Sequence, residues 1–98
     1  MLGTRYRGSR FCSVLGNPTA YEILKILAQS KKTPTRLARE IGFSLKTVSD
    51  TLRNLQQVNL VRYVTRNKNK IYFLKEKSLP SVLNDIEKYV KKMRVIKW

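Results

Sequence analysis

Between residues 44 and 57 the sequence places polar side chains on one face of a predicted helix. Val48, Leu52 and Leu55 fall at positions i, i+4 and i+7 and define an apolar face. The opposite face consists of Lys46, Thr47, Ser49, Asp50, Arg53, Asn54 and Gln57. Arginine and lysine pair with guanine, asparagine and glutamine with adenine, and serine and threonine with bases or phosphates. The pattern predicts a helix that contacts base edges; a plain amphipathic helix with a solvated side has the same pattern.

A strongly basic segment follows this helix. Residues 58–75 contain five basic side chains and no acidic one. Two predicted strands, 60–65 and 70–74, flank the sequence RNKN, in which asparagine tolerates the positive φ of a tight turn. We therefore expect a projecting β-hairpin, or wing, over residues 60–74. Its basic side chains are Arg62, Arg66, Lys68 and Lys70.

The residues before the polar helix complete a two-helix motif. Thr33 and Pro34 are residue types that begin a helix, and Gly42 suits the left-handed conformation that ends one. We predict a short helix over residues 33–41, a tight turn and a second helix over about 44–57. Two helices joined in this way present the second to the major groove of DNA. With the hairpin, the motif is a winged helix-turn-helix.

The composition of the whole chain favours a polyanionic partner. The 98 residues include 21 basic and 6 acidic side chains, a formal net charge of +15. This excess costs self-repulsion, and nucleic acid is the polyanion that best explains it. A membrane surface is the other candidate, but no segment combines a basic face with a large exposed apolar face. We expect double-stranded DNA as a partner and no membrane.

The sequence lacks the groups that several other functions require. It has no histidine, so imidazole acid-base chemistry and histidine metal ligation are impossible. It has no glycine-rich phosphate loop and no carboxylate pair, so we expect no enzymatic activity, no cofactor and no metal. No run approaches the ~20 apolar residues of a membrane span. The N-terminal residues also lack the ~7–15-residue apolar segment of a secretory signal, so we expect none. The expected location is cytoplasmic, on the nucleoid.

Residues 1–16 have the composition of a basic arm. They contain three arginines and three of the four glycines, and we expect a loose segment that becomes ordered around residues 11–15. The arginines contact DNA in one interpretation; in the other the segment is a frayed terminus or packs on a partner subunit. The single cysteine, Cys12, has apolar neighbours and is expected to be buried and inert, with redox sensing as the alternative.

Two further helices are predicted outside the two-helix motif. One begins with Asn17 and Pro18 and is apolar on most of its circumference, so other elements must cover it. The other begins near residue 78 and has an apolar stripe spaced like the core of a coiled coil. The stripe, with the residues that widen it, is Leu79, Val82, Leu83, Ile86, Tyr89, Val90, Met93 and Ile96. We expect a homodimer interface there; packing against its own domain is the alternative.

Three stretches of the chain resemble the small ArsR-type winged-helix regulators of archaea and bacteria: LGNPTAYEILKIL, TPTRLAREIGFSLKTVSDTLRNLQQVNLVRYV and NKIYFL. The resemblance covers about residues 14–75, and its most specific part is SLKTVSDTLRNLQQVNLV. Many members have glycine where this chain has Asn59. The resemblance implies a dimer that binds an operator through the second helix and the wing. Metal-sensing members have paired cysteines at positions matching 35–40, where this chain has neither cysteine nor histidine.

The combined prediction is a mostly α-helical winged helix-turn-helix protein with a small β-hairpin. Residues 1–16 form the arm, 17–75 the winged domain and 76–98 a C-terminal dimerisation helix. The expected function is a homodimeric, sequence-specific regulator of transcription, with its recognition helix in the major groove and its wing on the backbone or minor groove. An architectural protein that coats DNA with little sequence preference is the alternative.

Overall fold

The computed structural model describes residues 7–93. Within them, five helices and one antiparallel hairpin follow one another along the chain. Their bounds are Arg7–Leu15 (α1), Pro18–Leu27 (α2), Pro34–Ile41 (α3), Leu45–Gln57 (α4), Val61–Arg66 (β1), Asn69–Leu74 (β2) and Leu79–Met93 (α5). The predicted fold class, mostly helical with a two-stranded wing and a C-terminal helix, is confirmed.

Local capping sets the turn between α3 and α4. The Thr33 hydroxyl accepts a hydrogen bond from the Arg36 N–H at 3.2 Å, and the Ser44 hydroxyl accepts one from the Thr47 N–H at 3.1 Å. Gly42 ends α3 with a φ of +86°, a conformation that costs glycine little and other residues more. Each cap stabilises its helix by about 1 kcal/mol. The start of α4 is therefore determined by residues close to it in sequence.

The core lies between α2, α3, α4 and the base of the hairpin. Its completely buried side chains are Ile23, Leu24, Leu37, Val48, Leu52, Leu55 and Val61. The prediction that α2 needs covering from outside the two-helix motif is confirmed, because α1 packs on it and α5 adds Leu79 and Leu83 to the same core. Asn17 caps α2 as expected, its side-chain oxygen accepting a hydrogen bond from the Ala20 N–H at 3.0 Å.

Helix α1 corrects the expectation of a loose N-terminal arm. Residues 7–15 are helical, with Phe11, Val14 and Leu15 packed against the core. Burying these side chains offsets the entropy lost on ordering the segment. Cys12 is exposed rather than buried, because the i, i+3 and i+4 positions of α1 take the inward face. The rest of the predicted arm, residues 1–6, lies outside the described residues.

The hairpin closes more tightly than the sequence predicts. Arg66 pairs with Asn69, so each strand has one more residue beside the turn and the turn has two residues instead of four. Asn67 and Lys68 have φ values of +53° and +69°, the pattern of a type I′ turn, which matches the twist of a hairpin. Asparagine was expected at such a position and lysine was not.

Two backbone features attach the hairpin to the helices. Lys32 and Tyr72 exchange hydrogen bonds, Lys32 N–H to the Tyr72 carbonyl at 3.1 Å and Tyr72 N–H to the Lys32 carbonyl at 2.7 Å. Asn59 has a φ of +64°, as predicted for the residue where the chain leaves α4 and enters β1. The wing is thus held at its base by α4 and along β2 by the loop before α3.

The apolar stripe of α5 is divided between two environments. Leu79 and Leu83 are only 4% and 3% exposed and belong to the core of their own subunit. For these two residues the alternative, packing against their own domain, therefore holds instead of the expected homodimer interface. They lie on the side of α5 that faces the domain, and a domain of this size needs their burial to complete its core.

The other side of the stripe is open to solvent. Its exposed members are Val82, Tyr89 and Met93, at 41%, 66% and 50%. Ile86 and Val90 are half-buried, and Ile96 lies outside the described residues. Val82, Ile86, Tyr89 and Met93 fall at positions i, i+4, i+7 and i+11, so α5 presents an apolar strip beside the edge that packs on the core.

Three polar side chains, Tyr21 and Lys25 of α2 and Glu87 of α5, interact where the two helices meet. We call this group the polar clasp. The Tyr21 hydroxyl donates a hydrogen bond to Glu87 Oε2 at 2.6 Å. Lys25 Nζ lies 3.9 Å from Glu87 Oε1 and 5.6 Å from the centroid of the Tyr21 ring. Burial, and then the hydrogen bond to Glu87, raise the pKa of Tyr21 to about 12.

Replacing Tyr21 by phenylalanine tests this clasp at high pH. The pKa of the hydroxyl rises from 10.0 in the unfolded chain to about 12 in the folded one, so the folded protein keeps a proton that the unfolded chain has lost. This contribution to stability is complete below pH 10 and is lost as the pH approaches 12. We expect the wild-type free energy of unfolding to fall more steeply over this interval than that of Tyr21→Phe, measured with urea. Parallel curves for the two proteins would contradict the clasp.

Candidate nucleic-acid interface

The polar face of α4 carries a chain of three charged side chains. Asp50 Oδ2 accepts a hydrogen bond from Lys46 Nζ at 3.0 Å, and Asp50 Oδ1 accepts one from Arg53 Nη1 at 3.4 Å. The hydrogen bond and charge of Lys46, followed by Arg53, hold the pKa of Asp50 below its usual value. The structure therefore brings together three predicted DNA-binding residues and links both cations to one carboxylate.

Thr47 and Ser49, the two hydroxyl residues of α4 that are predicted to contact DNA, have different surroundings. The Ser44 hydroxyl donates to Thr47 Oγ1 at 2.9 Å, so the Thr47 side chain takes part in the cap of its own helix. Ser49 is half-buried and lines a cleft of about 490 Å³ that also includes Lys68 and Lys70 of the wing. Of these two hydroxyl residues, Ser49 is therefore the one that the fold places beside the wing tip.

The cations of the wing lie on more than one side of the hairpin. Lys68 is in the turn, and Lys70 Nζ lies 4.7 Å from the centroid of the Tyr63 ring. Strand alternation puts Arg62 and Arg66 on the face opposite to Tyr63. All four predicted wing cations are exposed, but only Lys68 and Lys70 share the cleft with α4.

Leu45 is a residue of this surface that the sequence analysis missed. It is the first residue of α4, is 50% exposed, and lines the cleft between α4 and the wing tip. Leu45 lies three residues before Val48, so helical periodicity assigns it to the buried face. No signal in the sequence distinguishes it from the core residues of α4.

A second basic cleft, of about 450 Å³, was also missed. Its lining residues are Lys31, Lys32, Thr33, Thr35, Arg36, Arg39 and Ile71. Thr33 and Thr35 line both clefts, so the two are adjacent. Glu40 Oε2 accepts hydrogen bonds from Lys32 Nζ and Arg36 Nε, each at 2.9 Å, and these lower the pKa of Glu40. Most of its lining residues are close together in sequence, but Ile71 comes from β2, and that contribution is not revealed by spacing along the chain.

Comparison with known proteins identifies the family. A model described as a helix-turn-helix domain matches residues 15–64, and the chain belongs to this family. A search of curated proteins found no match. In residues 7–93, each helix is too short or too polar to cross a membrane.

Solved structures of bacterial regulators are similar along most of the chain. One is the homodimeric winged helix-turn-helix DNA-binding domain of a possible ArsR-family transcriptional regulator from Mycobacterium bovis. It is 20% identical in sequence, with a TM-score of 0.83, and the match covers 94% of this chain and 85% of that one. The transcriptional repressor BigR from Xylella fastidiosa is 19% identical, with a TM-score of 0.79 and 87% of each chain covered. HlyU from Vibrio cholerae is 16% identical, with a TM-score of 0.78, covering 91% of this chain and 97% of that one. The fold is a winged helix-turn-helix, and the resemblance to ArsR-type proteins is confirmed.

Lys68 offers a test of the wing turn. Its φ of +69° is unfavourable for a residue with a Cβ atom, and glycine adopts it at lower cost. We expect Lys68→Gly to raise the free energy of unfolding by up to about 1 kcal/mol. Lys68→Ala removes the same charge but keeps the Cβ atom, so it should give no such gain. Urea unfolding of the two variants makes the comparison, and equal stabilities would show that the turn is not strained.

Proposed function

We propose that this protein is a homodimeric, sequence-specific transcriptional regulator that binds double-stranded DNA in the cytoplasm. Helix α4 enters the major groove, and the wing lies on the backbone or in the minor groove. One observation carries the proposal: the N-terminal end of α4 and the tip of the wing line the same cleft, and the wing cations there are exposed. A duplex that takes α4 into its major groove can contact both elements at once.

The proposed contacts follow from the chemistry of each side chain. On α4 they are made by Lys46, Thr47, Ser49, Asp50 and Arg53. On the wing they are made by Arg62, Arg66, Lys68 and Lys70. Arg53 can pair with O6 and N7 of guanine, whereas flexible lysines act as point charges for phosphates. The wing cations therefore supply affinity for any duplex, and α4 supplies the discrimination between bases.

The net charge of +15 favours a second candidate, an architectural protein that coats DNA. Such a protein depends on phosphate contacts and has similar affinity for all sequences. A regulator binds its own site typically ~10³–10⁷-fold more tightly than other DNA. The ratio of specific to non-specific affinity therefore separates the two functions.

Selection of bound duplexes from a random pool tests the proposed function. We expect an enriched motif with two-fold symmetry, and a dimer making roughly 6–10 phosphate contacts should lose about 10³–10⁵-fold in affinity between about 50 and 200 mM salt. Fluorescence anisotropy with the selected duplex measures this dependence. Salt-sensitive binding without an enriched motif would establish the architectural function instead, and an absence of binding at low salt would exclude both.

We place the interface of the proposed homodimer at the exposed strip of α5. Val82, Tyr89 and Met93 form an apolar surface at the end of the described chain, and a second copy would bury it. The similar domain from Mycobacterium bovis is described as homodimeric, which supports the same assembly here. A two-fold axis would set the two α4 helices about 34 Å apart, one turn of DNA, and require a roughly palindromic site.

Two acidic substitutions in the strip test the dimer. Tyr89→Asp combined with Met93→Asp adds charges that are solvated in a monomer but buried in the proposed interface, where unpaired charge costs several kcal/mol. We expect sedimentation to show monomers, with weaker binding to the selected duplex. The matched control, Ser81→Asp with Asn84→Asp, adds the same two charges at exposed polar positions of α5 and should remain dimeric. A monomeric wild-type protein at micromolar concentration, with and without DNA, would exclude the interface.

A further inference from the structure

Asp50 is an exception in the charge distribution of the proposed DNA-binding surface. It is the only acidic residue in the sequence between Glu40 and Glu76, and it lies in the middle of the polar face of α4. A carboxylate at this place repels the phosphates of any duplex that approaches. In a chain with 21 basic residues, an acid at the centre of the binding face lowers affinity and requires a physical reason.

The two oxygens of Asp50 are both occupied by basic side chains. Lys46 Nζ donates to Oδ2 at 3.0 Å and Arg53 Nη1 donates to Oδ1 at 3.4 Å. A guanidinium has five N–H donors and an ammonium has three, so each cation keeps donors for a second partner. The arrangement reduces the net charge of this face and restrains Arg53 without using all of its hydrogen-bonding capacity.

Stabilisation of α4 is a weak explanation for these pairs. Both lie on the surface, where ion pairs contribute little. Lys46 precedes Asp50 by four residues, which is the less favourable order for a pair on a helix. The apolar face of α4 is already buried in the core, so the helix does not depend on them.

We propose that Asp50 is a specificity-determining residue, which competes with DNA phosphates for Lys46 and Arg53 and so disfavours binding to the wrong sequence. This inference rests on the proposed function. Non-specific DNA offers these cations mainly phosphates, which must displace Asp50 and approach its charge. At the correct site, guanine accepts from donors of Arg53 that Asp50 leaves unused, and Asp50 itself accepts from the amino group of a cytosine. The carboxylate therefore lowers the affinity mainly for incorrect sites.

Glu40 provides a matched control in the same chain. Like Asp50, it accepts hydrogen bonds from two basic side chains, Lys32 and Arg36. It lies on α3, whereas the proposed base contacts are on α4. Glu40→Gln and Asp50→Asn change the net charge by the same amount, so any general effect of charge appears in both variants.

The experiment measures the affinities of the dimer for the selected duplex and for a scrambled duplex of equal length. Asp50→Asn should bind the scrambled duplex more tightly, by about tenfold for each cation released to a phosphate at ~0.1 M salt, with a salt slope steeper by about one unit per contact. Its ratio of specific to non-specific affinity should fall by about the same factor or more. Asp50→Glu keeps the charge and should retain most of the ratio, and Glu40→Gln should leave the ratio at the wild-type value.

Three results would overturn this inference. Equal changes in Asp50→Asn and Glu40→Gln would show that only net charge matters. Weaker binding of Asp50→Asn to the selected duplex, with no gain on the scrambled one, would make Asp50 a simple base contact. A wild-type ratio near one would leave no specificity for Asp50 to determine. A wild-type protein that binds neither duplex contradicts the proposed function itself, and circular dichroism of each variant confirms that it is folded.

Discussion

The burial of one face of α4 is the constraint on which the candidate DNA-binding surface depends. Val48, Leu52 and Leu55 lie in the core against α2 and α3, and rotating α4 about its axis would expose them. The burial of three large side chains contributes several kcal/mol, which is more than any single contact on the outer face. The orientation of the polar face is therefore a consequence of core packing. In the same packing, Ser49 lines the cleft that α4 forms with the wing tip.

Electrostatics divides this surface into two parts with different properties. The wing has no acidic residue, and its cations are exposed to any polyanion. On α4, by contrast, Asp50 holds both nearby cations. In our proposal, the exposed wing cations bind any duplex, whereas the restrained cations of α4 bind according to the bases that they meet. Affinity then comes mainly from the wing and discrimination mainly from α4.

The elements that were predicted correctly are those with local physical causes. Side-chain caps at Thr33 and Ser44 satisfy N–H groups within three residues, and the left-handed φ of Gly42 depends on that residue alone. The positive φ of Asn59 follows in the same way from the residue type and the change from helix to strand. Helical periodicity identified the buried face of α4, because only one side of this helix packs against its neighbours. These signals were enough to predict the winged fold and to show the resemblance to a family.

The sequence by itself therefore determined the helices of the motif, their caps, the basic wing and the polar face of α4. Tertiary structure alone decided the rest. Helix α1 forms because its apolar side is covered by the core, which outweighs the glycines and arginines that favour a loose segment. The wide stripe of α5 is split, because only contact with the rest of the subunit determines that Leu79 and Leu83 face inward while Tyr89 stays exposed. The shared cleft of Leu45 and Lys68 likewise joins residues that are distant along the chain, and only packing brings them together.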